Sequence, residues 1–145
     1  MRVRELTVAY RSRPDPAISP FRTLATPRDT AEFLIQLLGY EASEVFGIVC
    51  LDTKHHFIAW HEVARGSLDT CIVQPREVFK GALLANAACI AGAHNHPSGD
   101  PTPSPDDHEL TRRLAAAGLV LGVPFVDHVI VGDGRYFSFK EMGVL

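Results

Sequence analysis

Hydrophobic and polar positions alternate between two periods along the chain, and the changes of period mark the elements. Thr26-Pro27-Arg28-Asp29 predicts a helix start: threonine suits the cap, proline the first helical position, and aspartate the positive end. Phe33, Leu34, Leu37 and Leu38 then share one face, and Gly39 ends the helix. Glu44 to Leu51 is apolar on both faces, which predicts a central strand, and Phe57 to Val63 returns from an Asp52–His55 turn as a hairpin. Leu68 to Val73 predicts a short strand. Pro75 to Ala88 predicts a helix with Val78, Phe79, Ala82 and Leu83 on its buried face. Cys89 to Ala93 predicts a buried strand whose carboxyl end delivers His94 and His96 into a loop. Ser104 to Leu121 has Leu110, Leu114, Ala117 and Leu121 in helical register. Val123 to Val131, a Gly132-Asp133-Gly134 turn and Tyr136 to Phe139 complete the pattern as a second hairpin. Met1 to Tyr10 alternates loosely and predicts an edge strand, and Arg11 to Pro20, broken by Pro14, Pro16 and Pro20, predicts an arm. The fold class expected is α/β, a three-layer mixed sheet flanked by helices. Residues 1–26 would be the N-terminal strand and arm of the same domain as 27–145.

Composition narrows the chemistry. With 145 residues, 46% of them hydrophobic and 21% charged, the chain has the make-up of one ordinary globular domain. A net charge of −3 argues against an electrostatic footprint for nucleic acid. Cys50, Cys71 and Cys89 lie in apolar runs without Cys-x-x-Cys spacing, so they read as small buried hydrophobes in a reducing compartment. No apolar run is long enough to span a bilayer, and the expected location is the cytoplasm, with no membrane partner.

The informative stretch is His94-Asn95-His96-Pro97-Ser98-Gly99-Asp100-Pro101-Thr102-Pro103-Ser104-Pro105-Asp106-Asp107. Residues i and i+2 of an extended segment point to one side, so His94 and His96 can face a single ion. Two imidazoles and a carboxylate, Asp107, are the protein ligands of a zinc site that keeps one position open. Ser104 and Asp107 also spell a helix capping box, the form that Thr26 and Asp29 repeat with no histidine nearby. Asp106 competes with Asp107 and reads as a charge at the helix start. A hydrolytic zinc site also needs a base, for which Glu41, Glu44, Glu62 and Glu77 are candidates. His128 reads as structural, with support of a metal ligand as the alternative. His55, His56, His61 and His108 are expected to face solvent, Asn95 and Ser98-Gly99 to shape the loop, and Gly99 to take a positive φ.

The His-x-His pair, Ser104 eight residues beyond its second histidine and Asp107 eleven beyond resemble the zinc signature of the JAB/JAMM metallopeptidases. The string His94-Asn95-His96-Pro97-Ser98-Gly99-Asp100-Pro101-Thr102-Pro103-Ser104 resembles the bacterial RadC branch, with a likeness running from about Pro27 to Leu145. The resemblance implies the JAB fold, similar in architecture to the cytidine deaminases. It implies Zn²⁺ held by His94, His96 and Asp107, and a peptide or protein partner cut at a peptide, isopeptide or related amide bond. Glu44-Val45-Phe46-Gly47 resembles the upstream glutamate motif of that family, making Glu44 the base with Glu62 as alternative, and Ser104 is implied to donate to an oxyanion. RadC-branch proteins usually carry a helix-hairpin-helix segment before the domain, for which the residues ahead of Pro27 leave no room, so no nucleic-acid partner is expected. A second reading is a non-catalytic, zinc-stabilised interaction module associated with DNA repair or mobile elements. The letters His-Asn-His do not make an HNH nuclease, whose residues are dispersed over a ββα unit. A zinc deaminase would need His-x-Glu and Cys-x-x-Cys, both absent from the sequence.

Overall fold

The computed structural model describes residues 1–14, 22–66 and 73–145. Helix α1 (Pro27–Leu38) starts as expected: the Asp29 N–H donates to the Thr26 hydroxyl, and the Thr26 N–H donates to the Asp29 carboxylate. It buries Ala31, Phe33, Leu34 and Leu38. Five strands follow: β1 (Val45–Leu51), β2 (Phe57–Arg65), β3 (Cys89–Asn95), β4 (Phe125–Gly132) and β5 (Arg135–Ser138), ordered β2-β1-β3-β4-β5. β1–β2 and β4–β5 are antiparallel hairpins, β1 and β3 are antiparallel, and β3 and β4 run parallel around helix α3 (Pro105–Leu121). The turn of the second hairpin has two residues, Asp133 and Gly134, both with positive φ (49° and 69°), the backbone that matches strand twist.

Period-two alternation assigns the two faces of the sheet. Val45, Val49, Leu51, Cys89, Ala91, Ala93, Val129 and Val131 pack with α1. Phe46, Ile48, Cys50, Ile90 and Phe125 pack instead with α2 (Pro75–Leu84) and α3. The three layers are therefore α1, the sheet, and the α2–α3 pair. His94 and His128 have the parity of Phe46 and Ile90, so both imidazoles lie on the α2–α3 side. Asn95 lies on the α1 side.

Several boundaries differ from those read along the chain. Residues 1–14 form no strand and are exposed, because the loose alternation of Met1–Tyr10 finds no sheet edge. The Tyr10 hydroxyl donates to the Ala85 carbonyl oxygen instead. Helix α2 stops at Leu84, since Asn86 turns left-handed (φ 52°), and Leu83 is exposed rather than buried. In α3 the last leucine of the register, Leu121, is exposed, and Gly118 is buried in its place. β3 continues past Ala93, so His94 lies within the strand. The strand expected over Leu68–Val73 and the burial expected of Cys71 fall on residues 67–72, outside the described residues. Cys50 and Cys89 are buried and free, as expected. Among the described residues no helix is long and apolar enough to cross a membrane.

Gly118 is where α3 meets the turn into β4: a Cβ there would lie 2.5 Å from the Val123 carbonyl oxygen and 3.1 Å from the Phe125 nitrogen. Alanine ordinarily favours a helix over glycine by about 1 kcal/mol. Backbone contact should reverse that sign, so Gly118→Ala is expected to lose roughly 1–3 kcal/mol in urea unfolding. A raised urea midpoint would show that this packing is not tight.

Candidate metal centre

β3 and the loop after it set the imidazole pair. His94 is fully buried, and the His96 N–H donates to the Val131 carbonyl oxygen at 2.8 Å, which keeps the backbone extended one residue past the strand. Both side chains therefore fall on one side, with their Nε2 atoms 2.9 Å apart. Gly99, at φ 88° as expected, turns the loop back, and its N–H donates to the His96 carbonyl oxygen at 2.9 Å.

Hydrogen-bond accounting fixes the tautomers. His96 Nδ1 lies 2.7 Å from the Asp100 carbonyl oxygen, which can only accept, so Nδ1 carries the proton. The Thr111 hydroxyl donates to the Asp107 carbonyl oxygen (2.7 Å), as it stands one helical turn further along. That hydroxyl can therefore only accept from His128 Nδ1, also 2.7 Å away. His128 Nε2 is then a lone pair, and it accepts from His94 Nδ1 at 2.8 Å. Complete burial holds the His128 pKa well below the ordinary histidine value, which keeps this ring neutral. In the neutral rings of His94 and His96 the remaining nitrogen, Nε2, is then the lone pair. The two face each other, an arrangement that a cation or a shared proton relieves.

Helix α3 brings the carboxylate. Ser104 caps it, accepting the Asp107 N–H at 3.1 Å, while Asp107 Oδ2 accepts the Ser104 N–H at 2.8 Å. The same carboxylate lies 3.3 Å from His94 Nε2 and 3.4 Å from His96 Nε2. One geometry thus makes the cap and brings the Asp107 carboxylate beside both imidazoles. Burial raises the Asp107 pKa, but pairing with His94 and His96, whose Nε2 atoms donate to the carboxylate once protonated, outweighs it and holds the carboxyl far below the usual carboxylate range. The Asp107 contact is also the main cause that raises the His96 pKa, against desolvation. Asp106 is exposed.

Of the four candidate glutamates, Glu44 approaches the imidazoles. It directly precedes β1, is about a quarter exposed (25%), and places Oε1 3.9 Å from His94 Nε2 and 3.8 Å from His96 Nε2. Glu44, His94 and His96 offer ligand atoms all within 4.8 Å of one another, a candidate metal triad. Glu62 is instead paired with Arg65 at 2.6 Å, as is Glu41 at 2.8 Å, and Glu77 is paired with Lys80 at 2.8 Å.

Ligands of tetrahedral zinc at bonds of about 2.0–2.1 Å lie about 3.3 Å apart. Asp107 matches that separation from both nitrogens, the imidazole pair is slightly closer, and Glu44 is about half an ångström too far. The donor set present fits zinc, with Glu44 adjacent.

Two features escaped the sequence pattern: Thr111 orients His128, and Asn95 is a buried strand residue rather than a loop-former. His128, read first as structural with support of His94 or His96 as the alternative, is joined directly to His94. The signal for Thr111 was its spacing of four from Asp107. For His128 it was the parallel register Gly92↔His128, invisible before β3 and β4 pair. His55, His56 and His61 are half-buried, His56 bonding Asp52, while His108 is exposed as expected.

A family model described as a RadC-like JAB domain matches residues 24–144. A UPF0758 protein of Desulfitobacterium hafniense is 44% identical over 131 residues, 90% of this chain and 57% of the relative. Another, from Caldanaerobacter subterraneus, is 48% identical over 121 residues, 83% of this chain and 52% of its own length. The chain spans about half the length of these curated relatives. With the five described strands in the order above, His94 on the third and His96 just beyond it, and the match over most of its length, this chain belongs to the RadC-like JAB domain family.

Proposed function

We propose that this domain is a zinc-dependent hydrolase that cleaves a peptide, isopeptide or related amide bond. The observation that carries the reading is the convergence of two Nε2 lone pairs and the Asp107 carboxylate at zinc-ligand separation, with Glu44 just beyond. His94, His96 and Asp107 would hold the ion. Zinc there supplies Lewis acidity, acidifying water and polarising a carbonyl. Exposure supports an open coordination side: the His94 side chain is sealed and that of Asp107 nearly so (0% and 8%), whereas those of His96 and Glu44 reach solvent (16% and 25%). Glu44, on that open side, takes a proton from water and passes it to the departing amine. The Ser104 oxygen is engaged by the Asp107 N–H, which leaves its O–H proton to donate to the carbonyl oxygen as negative charge develops there. A site that only stabilised the fold would need neither Glu44 nor an open side. The partner implied is a peptide or protein, and the net charge of −3 offers no footprint for duplex nucleic acid.

Purified protein should contain one zinc per chain, and His96→Ala should lose it. Elemental analysis that still finds one tightly held zinc in the variant would refute the ligand assignment. Glu44→Gln keeps shape and hydrogen-bonding reach but removes the base. Zinc content and melting temperature should stay near wild type while turnover, sought on a panel of peptide and isopeptide substrates, falls by about two to four powers of ten. Loss of zinc would make Glu44 a ligand, and zinc retention with full activity would place the base elsewhere. Ser104→Asn keeps a capping side chain, whose loss would cost about 1 kcal/mol. Removal of an oxyanion donor should nevertheless lower turnover roughly a hundred- to a thousandfold. A stable variant with undiminished turnover would remove Ser104 from the chemistry.

A further inference from the structure

Asn95 stands between the two histidines in sequence and on the opposite face of β3 in space. Its side chain is buried, and its hydrogen bonds run to the segment around Glu44 rather than to either imidazole. Oδ1 accepts the Val45 N–H at 2.7 Å, and Nδ2 donates to the Ser43 carbonyl oxygen at 3.0 Å and to that of Glu41 at 3.4 Å. The carboxamide thereby grips the backbone on both sides of Glu44. Residues 41–44 have no regular secondary structure, and the Glu44 backbone itself is held by the Gly66 N–H, 2.8 Å from its carbonyl oxygen. A buried carboxamide whose acceptor and both donor hydrogens are used is rigid, because releasing any of them strands a polar group away from water.

The geometry points to Asn95 as a positioning residue that sets the Glu44 carboxylate against the His94–His96 pair. The inference rests on the proposed role of Glu44 as base. One strand segment then does two jobs: the outer residues of His94-Asn95-His96 present nitrogens to the metal, and the middle one fixes the distance to the base. A shift of about 1 Å in a reacting group can cost about a hundredfold in rate, so the anchor acts on turnover without touching substrate.

The test compares wild type, Asn95→Ala, Asn95→Ser, Glu44→Gln and the double variant Asn95→Ala/Glu44→Gln, all zinc-loaded. Asn95→Ser is the milder change, an uncharged hydroxyl with room for a bridging water. Both Asn95 variants should retain one zinc per chain. Amide hydrogen exchange should show the Val45 N–H exchanging at least about tenfold faster in Asn95→Ala, as a local opening, with Ala93 and Val129 unchanged. The kcat should fall about a hundredfold with KM nearly constant, and less in Asn95→Ser. A purely structural role would add its full cost in any background. A positioning role predicts that Asn95→Ala costs less than about twofold once Glu44→Gln is present. If Asn95→Ala does not fold, Asn95→Ser and its pairing with Glu44→Gln carry the same comparison. Unchanged Val45 exchange, or full additivity with Glu44→Gln, would overturn the inference and leave the base assignment intact. Full activity in Glu44→Gln alone would overturn the base assignment and the inference with it.

Discussion

Two imidazole nitrogens 2.9 Å apart, each presenting a lone pair to the other, are the constraint on which the rest of the site depends. Such a pair is unfavourable when empty, and the surroundings oppose its separation. The Asp100 carbonyl fixes the proton of His96 on the far nitrogen, and the Thr111–His128 relay does the same for His94. His128 is itself enclosed, stacked on Phe139 at 5.0 Å and edge-on to Phe46 at 5.7 Å. Desolvation there disfavours protonation, so the relay has one direction. An arrangement held in this way would need little rearrangement to take up a cation.

The fold supplies that constraint by placing three neighbouring segments at one end of the sheet. β3 is interior, flanked by β1 on one side and β4 on the other. Glu44 directly precedes β1, β4 carries His128, and the crossover from β3 to β4 includes the capped first turn of α3, which carries Asp107. Around the histidine pair of β3 and its continuation, Glu44, His128 and Asp107 each come from a different element: Glu44 beside β1 and His128 on β4, both strands paired with β3, and Asp107 on its crossover. The capping box of α3 has a double consequence. The carboxylate that satisfies an open helix N–H is also held, through the helix, at a fixed distance from both histidines, so helix stability and the geometry of the candidate metal centre are tied to one residue.

Much of this was legible in the residues. The apolar runs of β1 and β3, the cap signatures at Thr26 and Ser104, and the Gly99 turn are local properties, governed by side-chain period, capping chemistry and φ. They gave the expected elements and brought His94, His96 and Asp107 within reach of one ion. Local pattern misjudged places where a competing contact decides. Leu83 and Leu121 had helical spacing but fall beyond the buried arc, and Met1–Tyr10 alternated without an edge to pair with.

What the sequence determined by itself was the donor set and its spacing, because i and i+2 in a strand and a cap at a helix start are geometries of a few bonded residues. What only the tertiary structure decided was the choice among equals. By residue type four glutamates were equivalent, and only the likeness of Glu44-Val45-Phe46-Gly47 to a family motif favoured Glu44, with Glu62 as the alternative. Glu62 and Glu41 are drawn to Arg65 and Glu77 to Lys80, while the register of β1 against β3 brings Glu44 to the imidazoles. His128 and Asn95 gained their places in the same way, through strand pairing between residues 34 and 50 positions apart. Contacts at such separation depend on register, and register is set by the packing of whole faces rather than by any neighbour in the chain.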